Sequence, residues 1–184
     1  TLFLPNTYQF NWATTAEAAV KRMAGEYKKF WTVERKAKAK KLNLSQSEVA
    51  ILASIVQAEQ TVHADERPKV AGLYINRLRI GMLLQSDPTL VYGLGDFTIR
   101  RVLNKHKDVN SRYNTYKYKG LPPGPINLPN IKSLDAVLNY ESHNYIFMCA
   151  KEDFSGYHNF AKNYNQHLIY ARKYQRELNK RRIY

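Results

Sequence analysis

Glu59 closes the run Leu52-Ala53-Ser54-Ile55-Val56-Gln57-Ala58-Glu59, whose inward-facing positions are apolar. A carboxyl held near a buried apolar surface has its ionised form destabilised. Its pKa rises, which is what a general acid working near neutral pH requires. The plainer reading of Glu59 by itself is a solvated glutamate at a helix end, and composition alone favours that. Asp87, within Gln85-Ser86-Asp87-Pro88-Thr89, is the rival second acid. A two-carboxylate site would need it close to Glu59. An Asp before Pro-Thr also organises a turn or caps the following helix through backbone N–H groups, and we prefer that role for it.

Other chemistries find little support. The histidines, His63, His106, His143, His158 and His167, show no paired metal-ligand spacing, so neither a metal nor another cofactor is expected. His158, beside Asn159, is read either as a substrate contact or, by preference, as a hydrogen-bonded strand histidine. Cys149 is the sole cysteine and can form no internal disulfide. No glycine-rich phosphate loop, no G-x-S-x-G elbow and no Cys/His nucleophile pair is present.

The elements that must position these groups can be read from caps and periodicity. Residues 1–13 read as extended and turn-rich, and Thr14 or Thr15 can cap a helix to about Phe30 with the stripe Ala19, Val20, Met23, Tyr27 and Phe30. A charged helix follows from about Thr32 to Lys40. Ser45 with Glu48 forms a capping box, which predicts a buried helix from about Gln46 to Gln60 with Glu59 near its end. Pro68 favours a helix start, and Val70, Leu73, Tyr74 and Leu78 carry that helix to Gly81. Prolines and glycines break the stretch from Gly81 to Pro129 into turns and short elements, where sites tend to lie. Ser133 can cap a short helix through Leu138. Tyr145 to Ala150 reads as a buried strand, Tyr157 to Ala161 as its antiparallel partner across a turn at Ser155-Gly156, and about Asn163 to Lys180 as a closing helix. The simplest architecture is a single α+β domain over residues 1–184, several helices with a small antiparallel sheet.

The chain has 184 residues, 44% hydrophobic and 12% aromatic, enough to bury a core. Its formal charge of +14 implies attraction to polyanions without choosing among nucleic acid, lipid headgroups and carboxylate-bearing polymers. Much of the excess lies in Lys36 to Lys41 and Arg172 to Arg182, where solvated helix faces are the commoner explanation. No apolar run approaches the ~20 residues that span a bilayer. The chain opens on Thr1 rather than Met, as expected of a processed protein or a piece of a longer one.

The ordered set Leu52 to Glu59, Val70-Ala71-Gly72, Ile75-Asn76-Arg77-Leu78, Gly81 to Thr89, Tyr92-Gly93, Tyr113 to Tyr116, Gly120 to Ile126 and His158-Asn159-Phe160 resembles the endolytic murein transglycosylases, the YceG-like or MltG-like proteins. The opening Phe3 to Tyr8 is similar to that family's approach to this domain, so the resemblance covers nearly the whole chain. It implies a cleft for the alternating N-acetylglucosamine and N-acetylmuramic acid polymer, with Glu59 as acid and then base. Members often carry two acids at the end of this helix, and here the first of those positions is Gln57. Gln57, Gln85, Ser86, Asp87, Tyr92, Asn114, Thr115, Tyr116 and His158 are the candidate substrate-binding residues, and the resemblance places Gln85 and Ser86 beside the cleft. Gln85 and Ser86 are read as contacting sugar or positioning the acid. Asn114 to Tyr116 either bind sugar hydroxyls and N-acetyl groups or form a turn with Tyr116 packed inward. Gly120 to Pro125 reads as a rigid cleft wall.

The resemblance further implies anchoring to the cytoplasmic membrane with this domain on its outer, periplasmic face, action beside glycan-polymerising synthases, and no cofactor. Competing readings are a true hydrolase of the same glycan, a non-catalytic wall-binding protein, and a polyanion binder. The last is suggested by charge and 14 tyrosines, but no nucleic-acid recognition module is visible, and nucleic acid is not an expected partner.

Overall fold

The structure, a computed structural model, describes residues 3–99 and 102–181. Residues 1 and 2 of the extended leading segment and Arg182 of the second basic run lie outside the described residues. Seven α-helices and one two-stranded antiparallel sheet form an α+β fold in the order α1 (Ala16–Phe30), α2 (Val33–Lys41), α3 (Gln46–Glu59), α4 (Arg67–Arg79), α5 (Asp87–Leu94), α6 (Ile131–Leu138), β1 (Phe147–Ala150), β2 (His158–Ala161) and α7 (Tyr164–Lys180), among the described residues.

α3 is the central element. The Ser45 hydroxyl accepts from the Glu48 N–H while the Glu48 carboxylate accepts from the Ser45 N–H, so two orphan donors at the helix start are satisfied reciprocally. All eight residues from Val49 to Val56 are buried. A helix apolar on every side must be surrounded, and α2, α4, α5 and α6 pack around this one. Each fully buried Leu, Ile or Val there contributes roughly 1.5 to 3 kcal/mol. Arg35 of α2 meets Asp135 of α6 through two parallel hydrogen bonds of 3.0 and 3.1 Å, which ties the outer helices across the core.

α4 approaches the segment before β1 closely. A Cβ on Gly72 would lie 2.3 Å from the Glu141 carbonyl oxygen and 2.8 Å from His143 Nε2. Both neighbours are fixed, Glu141 by its N–H on the Pro68 carbonyl and His143 by contact with the Lys69 carbonyl. Gly72→Ala is therefore expected to destabilise by ~1 to 3 kcal/mol or more, as overpacking does, read as a lower denaturant midpoint with an unchanged slope.

Four local expectations change. Val20 is 49% exposed, so the α1 stripe buries only Met23 and Phe30. Asn130, rather than Ser133, caps α6, because its side chain reaches the Ser133 N–H two positions into the helix start. β1 is half-buried rather than buried, since each strand of a two-stranded sheet is an edge and α7 covers only part of it. Pro88 lies in the first turn of α5 instead of breaking the chain, the missing N–H costing nothing there.

Candidate active site

Three elements converge on the Glu59 carboxyl. Tyr74, buried on α4, donates its hydroxyl to Glu59 Oε1 at 2.8 Å, and Ser86, fully buried before α5, donates to the same oxygen at 2.5 Å. Among the described residues nothing hydrogen-bonds to Oε2. The carboxyl is thus oriented by one oxygen and presents the other. Burial pushes the Glu59 carboxyl above the usual range, and the nearby Asp87 charge adds to this, while the Ser86 and Tyr74 hydroxyls and the charge of His158 pull the other way. Burial wins, leaving a carboxyl disposed to hold its proton. Tyr74 in turn is raised well above the usual phenol value, by burial first and then by Glu59, and stays a donor.

Ser86 reaches inward because of the backbone before it. Gln85 sits at φ 51, a left-handed conformation unusual for a non-glycine residue, and its N–H binds the Thr115 carbonyl at 3.0 Å. The buried Arg77 guanidinium holds the approach by donating to the carbonyls of Leu84 at 2.5 Å and Ile146 at 2.6 Å. The Ser86 hydroxyl therefore positions the Glu59 carboxyl, whereas the Gln85 side chain is exposed.

Asn114 and Thr115 are buried, Asn114 holding its own loop and Thr115 joining that loop to the start of α5, which fits the turn reading of this segment rather than the sugar-binding one. Asn114 Nδ2 donates to the carbonyls of Lys107 and Val109, both at 2.8 Å, and its Oδ1 accepts from the Tyr116 N–H. Thr115 Oγ1 accepts from the Ser86 N–H at 3.0 Å and contacts Thr89 Oγ1 at 2.8 Å. The loop has no ladder to satisfy its backbone, so its polar side chains turn inward. The Tyr116 hydroxyl donates to Asp87 Oδ1. Burial first, and then Asp87, push that phenol upward, so it remains a donor to the carboxylate. Asp87 makes no side-chain cap on α5, contrary to the preferred expectation, because this phenol claims it.

His158 is a strand residue in a buried cluster: its Nδ1 lies 2.8 Å from Glu66 Oε2, its N–H donates to Glu66 Oε1 at 2.9 Å, and Gln60 Nε2 donates to Glu66 Oε2 at 2.5 Å. Burial works against ionisation of Glu66, yet these bonds together hold it below the usual carboxylate range. The cluster pins the turn after Glu59 to the β-hairpin, and among the described residues His158 makes no hydrogen bond to Glu59.

Gln57 joins α3 to the loop before α6. Its Oε1 accepts from the Asn130 N–H at 2.9 Å and lies 3.0 Å from Ser133 Oγ, while Nε2 is 3.4 Å from Asn127 Oδ1. We expect Gln57→Ala to cost about 1 to 3 kcal/mol through the acceptor lost to Asn130, and Gln57→Glu distinctly less because an oxygen remains. Urea unfolding of both variants checks this; equal costs would remove the clamp from the account.

Gln57, Ala58, Asp87, Tyr92 and Asn127 line a groove of about 1050 Å³. Glu59 is not part of that lining, but its helix neighbours Gln57 and Ala58 are, as is Asp87 next to Ser86. The volume is at the upper end of the ~300 to 1000 Å³ typical of small-molecule sites and suits a stretch of polymer. Tyr92 stands half-buried at its edge, 4.7 Å from the Tyr113 ring. Among the described residues no group of three or more His, Cys, Asp or Glu could hold a metal ion. Sequence reading missed Tyr74, which looked like one more member of the α4 core stripe; a buried tyrosine hydroxyl needs a partner, but nothing in the stripe names Glu59 as that partner.

The sequence model of the YceG-like family matches residues 1–173. An endolytic murein transglycosylase of Bacillus subtilis (strain 168) is 37% identical over 172 residues, which are 92% of this chain and 46% of that protein. A protein of the same description from Streptococcus pneumoniae (strain ATCC BAA-255 / R6) is 27% identical over 79% of this chain and 27% of its own length. The crystal structure of a YceG-like protein from Listeria monocytogenes superposes with a TM-score of 0.76 at 30% identity, covering 91% of this chain and 53% of that one. The chain thus spans less than half the length of these curated relatives.

Proposed function

We propose, for a chain that belongs to the YceG-like family, that it cleaves peptidoglycan glycan strands between N-acetylmuramic acid and N-acetylglucosamine, with Glu59 as acid and then base. The observation that carries this reading is a single carboxyl, raised by burial, whose Oε1 is fixed by two hydroxyls and whose Oε2 takes no protein partner among the described residues.

Protonated Glu59 gives its proton to the glycosidic oxygen as the bond to C1 breaks through an oxocarbenium-like state. The resulting carboxylate is held by Ser86 and Tyr74, which donate to it without surrendering their protons. It then takes the proton of the muramic C6 hydroxyl, whose oxygen closes on C1 to leave a 1,6-anhydro end. Glu59 is protonated again, and no water is consumed. Tyr92, Gln57 and the exposed Asp87 line the groove, and with the exposed Gln85, two residues before Asp87 in the chain, are the residues we assign to holding the strand.

Mass spectrometry of purified glycan strands after incubation tests the proposal. Anhydro-muramic ends support it. Reducing ends favour a hydrolase, for which Asp87 is the second acid, and absence of cleavage favours a wall-binding protein. The relatives' names place this chemistry at the cell wall, and we extend the proposal to an envelope location facing the periplasm, a membrane anchor elsewhere in the full protein and action beside glycan-polymerising synthases. No helix among the described residues is long and apolar enough to cross a membrane.

A further inference from the structure

We infer that the last turns of α7 form a binding wall for the peptide stem carried by muramic acid, an inference that rests on the glycan-cleaving reading above. The groove beside Glu59 is lined by the polar Gln57, Asn127 and Asp87 and by an apolar set, Val91 of α5, Phe97 after it, and Tyr174 and Leu178 of α7, with Gln175 of α7 also in the lining. Phe97 is 73% exposed, a large apolar surface left open to solvent.

An apolar wall is poorly matched to the hydroxyl edges of a sugar, which lose water there without gaining partners. It is well matched to the root of a peptide stem, where the lactyl and alanyl methyl groups sit beside amides that Gln175 can bond. The charge beside the wall is complementary to the rest of the stem. The last turns of α7 carry Arg172, Lys173, Arg176, Lys180 and Arg181 against Glu177 alone. Lys180 pairs with Glu177 and Lys173 lies 4.0 Å from Glu152, whereas Arg172 and Arg176 make no ion pair among the described residues. Stem carboxylates are the partners this arrangement fits.

No residue of α7 is fully buried, so its groove-facing side chains can be changed with little loss of fold.

The test measures binding of glycan strands with stems, and of the same strands stripped of stems by an amidase, to full-length Glu59→Gln protein, which leaves the strand uncut. We expect at least about ten-fold tighter binding of stem-bearing strands. In the same background, Gln175→Ala with Leu178→Ser should bring the ratio towards one. Arg172→Gln with Arg176→Gln, at two exposed positions, should lower the ratio and its salt dependence. Equal affinity of the parent background for both strands, or a ratio unchanged in both α7 variants, would overturn the inference. Failure of the unsubstituted protein to cut either strand would sink the lyase reading separately, since the binding ratio does not depend on cleavage.

Discussion

Glu59→Gln is expected to reduce strand cleavage by at least about 10³-fold and, at the same time, to make the protein harder to unfold at neutral pH. The first effect follows from removing both proton transfers of the proposed cycle, each of which contributes typically 10² to 10⁴-fold. An amide can accept from Ser86 and Tyr74 as the carboxyl does, so the geometry around Oε1 is retained and the loss reports the missing proton. The second effect follows from the sign of the Glu59 shift. Burial raises its pKa in the folded state, so the folded protein binds that proton more tightly than the unfolded chain. The stabilisation is complete below the unfolded value, ~4.3, and is lost as pH rises through the folded value. A glutamine has no such penalty at pH 7 to 8. The variant should therefore gain on the order of 1 kcal/mol there, an advantage that shrinks towards pH 4. Thermal melts of both proteins from pH 4 to pH 8, beside product assays, read the two effects together. Retained cleavage by the variant would move the acid elsewhere, Asp87 first. A stability difference that does not vary with pH would mean that Glu59 is not held protonated by burial.

Such a carboxyl was legible in the sequence because its helix was. The Ser45 and Glu48 capping box fixes where α3 starts, and the unbroken apolar run to Val56 requires it to be buried, which puts Glu59 at the point where the helix leaves the core. Gly81, at φ 65, likewise marks the end of the α4 region as expected. The loops were harder to read, for a physical reason. Asn114 and Thr115 have the side chains of a sugar-binding loop, but the same groups are what an irregular buried loop needs to satisfy its own backbone. Composition does not say which demand is met first. Gln57 illustrates the same ambiguity at a site position: its amide looks like the loss of an acid, and it serves as the clamp on Asn130. Tyr74 was hidden in the other direction, since a tyrosine in an apolar stripe advertises its ring and not its hydroxyl. The groove wall made by α7 was illegible because it joins residues far apart in the chain, Val91 and Leu178, with no periodicity to link them.

Ser86→Ala should lower the maximal rate by ~10 to 100-fold and move the alkaline limb of the pH profile to higher pH. Ser86 is the strongest of the groups favouring the ionised form of Glu59, so without it the carboxyl holds its proton to a higher pH. If Glu59 must enter the cycle protonated, activity falls as pH rises through its pKa, and the limb follows that pKa upward. The rate nevertheless drops at every pH, because the carboxylate formed midway has lost a hydrogen bond to a charged group, worth about 1.5 to 3 kcal/mol. Tyr74→Phe should act in the same two directions, since Tyr74 donates to the same oxygen at 2.8 Å. With both hydroxyls gone, the effects should not simply add, because either donor alone still orients Oε1. A residue that merely supports the fold would lower the melting temperature and leave the limb where it was. Rescue by Ser86→Thr, which keeps the hydroxyl, separates positioning from packing. Were the acidic limb to move upward in Ser86→Ala while the alkaline limb stayed in place, Glu59 would enter the reaction as a base, and the order of proton transfers proposed for this site would be reversed.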